Sequence, residues 1–253
     1  MILHAVSRGT GRGSPLVLLH GLFGRASNFG MVTARLANAG RRVLALDLRN
    51  HGTSPHGLPM DYATMAGDVA ETLVMLELRR VCLVGHSMGG KVAMTLALSD
   101  PGVVERLCVV DIAPVRYAPR FRDFTAAMQA LPLSRGLTRA AADATLLHAV
   151  PDARVRAFLL QNLRTGDAPA WTIGLDEIAG SLETVGDFPA LPGPYPGPAL
   201  FLHGAQSDYV TPEAWPAIRR LFPAAVPAAL QTGHWVHAED PDGFVAAVDA
   251  FMR

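Results

Sequence analysis

Short unbroken apolar runs alternate along this chain with stretches in which apolar residues recur every three or four positions. Pro15–His20, Arg42–Asp47, Val81–Val84 and Leu107–Ile112 are runs of the first kind. Turn-forming residues bound them, and they predict buried strands. Ser27–Ala39, stopped by Gly40, and Tyr62–Leu76 are of the second kind. In the latter, Tyr62, Met65, Val69, Leu73 and Leu76 share one face of a predicted helix. Continuous apolar strands separated by helices mark an α/β fold, a mostly parallel sheet covered on both faces.

The rhythm then breaks. From Pro114 to Pro196 the pattern is helical (Phe121–Leu131, Thr138–His148, Ala153–Leu163 and Leu175–Val185), without a convincing strand, and a proline-rich stretch from Pro189 to Pro198 closes it. This predicts a helical cap, or lid, at residues 114–196, inserted into a core made of residues 1–113 and 197–253. Alternation resumes with a strand at Ala199–His203 and a helix from Thr211-Pro212. A short strand near Val226–Leu230 and a last helix from Asp240-Pro241 follow; an N-cap residue before proline is a helix-start signal.

Composition narrows the function classes. The 253 residues are 50% apolar and 17% charged with zero formal net charge, enough for a full core and no invitation to nucleic acid or an anionic membrane. Of the 22 basic residues only Lys91 is lysine, a skew that reads as genome composition. No apolar run reaches bilayer length and no secretory signal pattern opens the chain. Cys82 and Cys108 lie inside apolar runs, which predicts buried free thiols and a cytoplasmic setting.

Candidate chemistry centres on Gly85-His86-Ser87-Met88-Gly89, between the run Val81–Val84 and the helical pattern that starts at Lys91. G-x-S-x-G between strand and helix is a nucleophile elbow, with the serine held on a strained turn above the sheet. Ser87 is the predicted nucleophile. It needs a base, and His234, after Gly233 and before the last helix, is preferred over His237. Two donors must meet the oxyanion: the Met88 N–H, and one from the loop His20-Gly21-Leu22-Phe23-Gly24, where Leu22 is favoured and Phe23 second. The acid that orients the base is Asp208, after the strand that follows the cap, or Asp111, at the end of the strand that precedes it; Asp208 is the first choice. Phe23, Phe121, Phe124, Phe158, Trp171 and Trp235 are the candidate pocket residues. No ligand-spaced cluster suggests a metal.

These motifs, with Asp47-Leu48-Arg49-Asn50-His51-Gly52-Thr53-Ser54, resemble those of the α/β-hydrolase superfamily. A nearer resemblance, to the small YbfF-type serine esterases, rests on His20–Gly24, Asp47–Gly52, Asp111-Ile112-Ala113-Pro114 and Gly233–Glu239. The superfamily implies an eight-stranded, mainly parallel sheet and a cofactor-free mechanism. The YbfF-type group implies short-chain ester or thioester substrates, and in several of its members the aspartate of the Asp-Ile-Ala-Pro segment serves as the acid, which raises Asp111 without deciding the choice. The expectation is a serine carboxylesterase with a small-molecule ester as its partner. Serine at the elbow argues against dehalogenases and epoxide hydrolases. Carbon–carbon bond hydrolases and ligand receptors that retain the triad are the alternatives.

Overall fold

A computed structural model describes residues 1–11, 13–118 and 121–253. The first part of the chain runs β1 (Ala5–Arg8), β2 (Leu16–Leu19), α1 (Gly30–Asn38), β3 (Val43–Leu46), α2 (Tyr62–Met75), β4 (Val81–His86), α3 (Met88–Ser99) and β5 (Val104–Val110). The inserted segment follows with α4 (Arg122–Ala130), α5 (Arg139–Leu146), α6 (Ala153–Leu160), β6 (Leu163–Arg164), β7 (Ala170–Trp171), α7 (Leu175–Gly180) and α8 (Leu182–Gly186). The chain then returns through β8 (Ala199–Gly204), α9 (Trp215–Leu221), β9 (Ala225–Leu230), α10 (Val236–Glu239) and α11 (Pro241–Phe251).

Seven strands form the main sheet in the order β1-β3-β2-β4-β5-β8-β9, parallel except where β1 meets β3. Among the described residues, these seven stand where the resemblance implies eight. Every residue of β2, β3 and β4 is buried, as strands covered on both faces require. Alternate side chains point to opposite faces. Val17, Leu19, Leu44, Leu46, Leu83 and Val109 therefore pack with Met65, Val69 and Leu73 of α2 and Val92 of α3. Leu16, Leu18, Val43, Ala45, Val84 and Val110 meet Val32 and Leu36 of α1 and Phe244 and Val248 of α11. Each such buried aliphatic side chain contributes about 1.5–3 kcal/mol relative to exposure.

Two local patterns differ from the sequence reading. The inserted segment contains a two-residue antiparallel hairpin, with Leu163 opposite Trp171. The expected single helix over 175–185 divides into α7 and α8 at Ser181, where Gly180 and Ser181 both weaken helix continuity. Side-chain caps start α2 and α11: Asp61 accepts the Thr64 N–H at 2.7 Å and Asp240 the Gly243 N–H at 2.9 Å, each worth about 1 kcal/mol. Thr211, by contrast, makes no side-chain cap bond, and a short turn at Pro212–Ala214 precedes α9.

After β2 the chain moves to β3 on one side, and it later enters β4 on the other. This reversal opens a crevice beyond the carboxyl ends of β2 and β4. The pairing register sets Leu19 beside Gly85 and His86 beside Val110, so β2, β4 and β5 end together beneath that crevice. No helix among the described residues is long and apolar enough to cross a membrane.

Candidate active site

Ser87 stands between β4 and α3 with φ 52° and ψ −118°. This left-handed backbone costs a non-glycine residue about 1–3 kcal/mol and persists only where its surroundings impose it. Here they do. The Ser87 N–H donates to the Val110 carbonyl at 2.9 Å, and its own carbonyl accepts from Gly90 at 2.8 Å. A Cβ on Gly85 would lie 2.2 Å from the Gly89 carbonyl oxygen, and one on Gly89 would lie 2.4 Å from that of Leu19. The two glycines of the motif are therefore steric necessities of the turn.

The carboxylate on His234 Nδ1 is that of Asp111, the alternative to the first choice of Asp208. His234 Nδ1 and Asp111 Oδ2 are 2.7 Å apart, so Nδ1 carries the proton and Nε2 is left as the acceptor. Asp111 directly follows β5, the neighbour of the elbow strand, and its φ of 51° marks a second left-handed residue. It is wholly buried, and accepts from Gly204 N–H at 3.0 Å and from Ser207 Oγ–H at 2.5 Å as well as from the imidazole. Asp208 is exposed, one position beyond the residue whose hydroxyl meets the buried carboxylate. Nothing in the sequence singles out Ser207, the neighbour of Asp208, for this contact. Tyr209 stacks on the His234 ring with centroids 4.1 Å apart. Among the described residues no hydrogen bond joins Ser87 Oγ to His234, a contact that often tightens only when substrate arrives.

The turn Gly21–Gly24, closed by the Gly24 N–H to Gly21 carbonyl bond at 2.9 Å, lies beside the elbow. A Cβ on Gly21 would reach within 3.3 Å of Ser87 Cβ, which shows how closely the two backbones approach. Phe23, at φ 62°, donates its N–H to His51 Nε2 at 3.0 Å. That bond commits the second-choice donor elsewhere, while Leu22 and Met88, the first residue of α3, line one space with Ser87.

Ser87 lines two spaces. A cavity of about 460 Å³ is lined by His234 and by the aromatic residues Phe23, Phe121, Phe124, Phe158 and Trp235. A smaller one of about 50 Å³ is walled by Leu22, Tyr62, Met88, Lys91 and Ile112, with Phe121 bordering both. Trp171, expected in the pocket, lies elsewhere. Its position in β7 packs it into the inserted segment, and its indole N–H donates to the Met128 carbonyl at 3.0 Å.

The pattern of the alpha/beta hydrolase family matches residues 16–247. The chain belongs to that family. Among curated relatives of this hydrolase, the sn-1-specific diacylglycerol lipase ABHD11 of Xenopus laevis is 45% identical over 250 residues, covering 95% of this chain and 80% of the relative. Esterase YbfF of Escherichia coli K12 is 34% identical over 242 residues, covering 95% and 93%. A solved structure of a marine microorganism esterase superposes with a TM-score of 0.95 at 33% identity, covering 99% of both chains. With esterases and lipases as its relatives, this hydrolase is a carboxylic ester hydrolase.

Around the elbow of the hydrolase lie four buried histidines. His20 Nδ1–H donates to the Gly21 carbonyl at 2.8 Å while Nε2 accepts the Leu48 N–H at 3.0 Å; His51 makes the same pair of bonds with Arg49 and Phe23. His86 Nε2–H donates to the His234 carbonyl at 2.9 Å, tying the elbow to the loop that carries the imidazole. Burial pushes His20 and His237 down to about 4 and His51 to about 3, and drives His86 well below its ordinary value. In the unfolded chain these rings take up a proton near pH 6.5, whereas the folded protein resists it down to about pH 4. The unfolded state thus holds more protons in that window, and stability is lost as the pH is lowered, by up to about 1.4 kcal/mol per unit per ring. The melting temperature is expected to drop by on the order of 5 °C or more between pH 7.5 and 5.0 in calorimetry. An unchanged value would mean that the rings already carry protons in the native state.

The solitary lysine is also buried. Lys91 Nζ donates to the carbonyls of Gly186 at 3.0 Å and Asp187 at 2.7 Å, and lies 4.8 Å from the Tyr117 ring centre. It fastens α3 to the end of the inserted segment. Burial pushes its ammonium down to about 7, against the opposing pull of the Asp187 carboxylate.

Proposed function

We propose that this hydrolase cleaves carboxylic esters of short acyl groups through an acyl-enzyme on Ser87. Ser87 Oγ attacks the acyl carbon while His234 Nε2 takes its proton and hands it to the departing alkoxide. Asp111 holds the imidazole in the required tautomer and stabilises its charged form. The Leu22 and Met88 N–H groups stabilise the tetrahedral oxyanion, an electrostatic contribution worth about 10²–10³ in kcat per donor. Water, deprotonated by His234, then attacks the acyl carbon and releases the acid. The observation that carries this reading is the hydrogen bond from His234 to the buried Asp111, in which the imidazole lines the same cavity as the strained Ser87.

The two spaces suggest different occupants. At about 10–15 Å³ per water-sized group, the 50 Å³ space holds about four such groups, which suits a short acyl chain. The wider space then receives the alcohol, under a lid formed by residues 114–196. A second reading follows from the 45% identity to a protein named a diacylglycerol lipase: a long acyl chain would instead lie in the larger, aromatic-lined cavity. Turnover of p-nitrophenyl acetate, butyrate and octanoate separates the two. Butyrate is expected to exceed octanoate in kcat/KM by at least about tenfold, since each misfitted methylene shifts discrimination by a factor of that order. The reverse order favours the lipid reading. Phe121→Ala, which removes the side chain shared by both spaces, is expected to move the optimum towards longer acyl groups by about tenfold in the octanoate/butyrate ratio. An unaltered ratio would put the acyl chain elsewhere. The two buried thiols suit a reducing compartment, and the cytoplasm is the proposed location.

A further inference from the structure

Phe23 occupies the third position of the Gly21–Gly24 turn with φ 62°, a geometry that glycine or asparagine would adopt without strain. A bulky aromatic residue stays there only if other groups fix the peptide units on either side of it. Both are fixed. On the core side His51 accepts the Phe23 N–H at 3.0 Å. On the other side the Phe23 carbonyl accepts from Asn162 Nδ2 at 2.8 Å and from Gln161 Nε2 at 3.2 Å. Asn162 and Gln161 follow α6 and come from the inserted segment, more than 130 residues away in sequence.

Asn162 is itself held rigidly. It is fully buried, and its backbone carbonyl accepts the N–H of Thr172 at 2.8 Å and the hydroxyl of the same residue at 3.0 Å. Gln161 is braced through its side-chain oxygen by Asn28 Nδ2 at 2.8 Å, and its backbone carbonyl accepts from the Arg25 guanidinium. The Asn162 Oδ1 atom is buried with no partner, so the side chain is spent on a single outgoing bond, the one to Phe23. Retaining a buried amide for one bond, with its other end unsatisfied, is costly to stability. That cost directs attention to what the bond holds: the Phe23–Gly24 peptide, which with the His51-held Leu22–Phe23 peptide fixes the turn that carries the Leu22 N–H.

We propose that Asn162, assisted by Gln161, is a positioning residue of the oxyanion hole, through which the inserted segment aims the Leu22 N–H at the reacting oxygen. The inference rests on the assignment of Leu22 and Ser87 under Proposed function. In consequence the insertion contributes to the rate of the chemical step as well as to the shape of the pocket. Loss of the Asn162 bond frees the turn to relax, and the Leu22 donor drifts from the position that the oxyanion occupies.

The test is Asn162→Leu, which keeps the volume and removes the donor, with Gln161→Met as a milder second variant at a half-buried position. Steady-state kinetics on p-nitrophenyl butyrate and inhibition by an alkyl trifluoromethyl ketone, which forms a tetrahedral adduct on the serine, are read together. Asn162→Leu is expected to lower kcat by about 10–100-fold, below the loss for deleting a donor outright, with KM changed less than about threefold. The ketone Ki should weaken by the same factor as kcat, because both report the oxyanion. Gln161→Met should show the same split at about 3–10-fold, and it carries the test if the buried substitution prevents folding. A rise in KM with unchanged kcat and unchanged ketone affinity, in either folded variant, overturns the proposal and reduces these residues to packing. A wild-type enzyme that the ketone does not inhibit would instead overturn the acyl-enzyme reading.

Discussion

Replacing Asp111 by asparagine is expected to lower kcat by about 10⁴-fold, the loss seen when a triad imidazole is left in the wrong tautomer. The carboxylate accepts from three donors, Gly204 N–H, Ser207 Oγ–H and His234 Nδ1–H. An amide can match at most part of that set, because its NH₂ group faces either the Gly204 N–H or both the Ser207 and His234 donors. Turned towards His234, it forces the proton to Nε2, where the ring can no longer accept from Ser87. Asp208→Asn should stay within about threefold of the parent, as expected of an exposed side chain when the buried Asp111 carboxylate already holds His234 Nδ1. Burst and steady-state rates on p-nitrophenyl acetate, with circular dichroism to verify folding, decide it. A large loss confined to Asp208→Asn would return the orienting role to that residue.

Ser87→Ala should reduce ester turnover by about 10⁴–10⁶-fold and abolish labelling by a fluorophosphonate. Alanine bears the same left-handed backbone strain as serine at φ 52°, so the substitution should not relax the elbow. Thermal stability is accordingly expected to stay within a few degrees of the parent. Retention of more than about a tenth of the activity in a folded variant would remove Ser87 from the chemistry.

The parts of this molecule that are legible in its sequence are those whose cause is local. Strands β2 to β5 announce themselves because burial on both faces demands unbroken apolar runs, and the elbow because two glycines are needed where backbones approach within contact distance. The acid is different. Asp111 and Asp208 both follow strands at the same edge of the crevice, and chain order does not reveal which carboxylate turns inwards. The choice depends on a left-handed residue after β5 and on Ser207, neither of which residue type encodes. Trp171 misleads for a related reason: an aromatic residue in the insertion can face the pocket or the insertion's own small core, and the hairpin that decides between them is two residues long. Asn162 is silent in the sequence, since its partner lies 139 positions away.

Because Lys91 is the sole lysine and is enclosed between α3 and the carbonyls of residues 186–187, the protein's side-chain amine chemistry is confined to one internal seam. Amine-selective reagents and lysine-specific proteases find no other lysine side chain in the molecule. Their reaction at Lys91 therefore serves as a clock for the parting of elbow helix and insertion, readable by mass spectrometry at a single peptide without any engineered label.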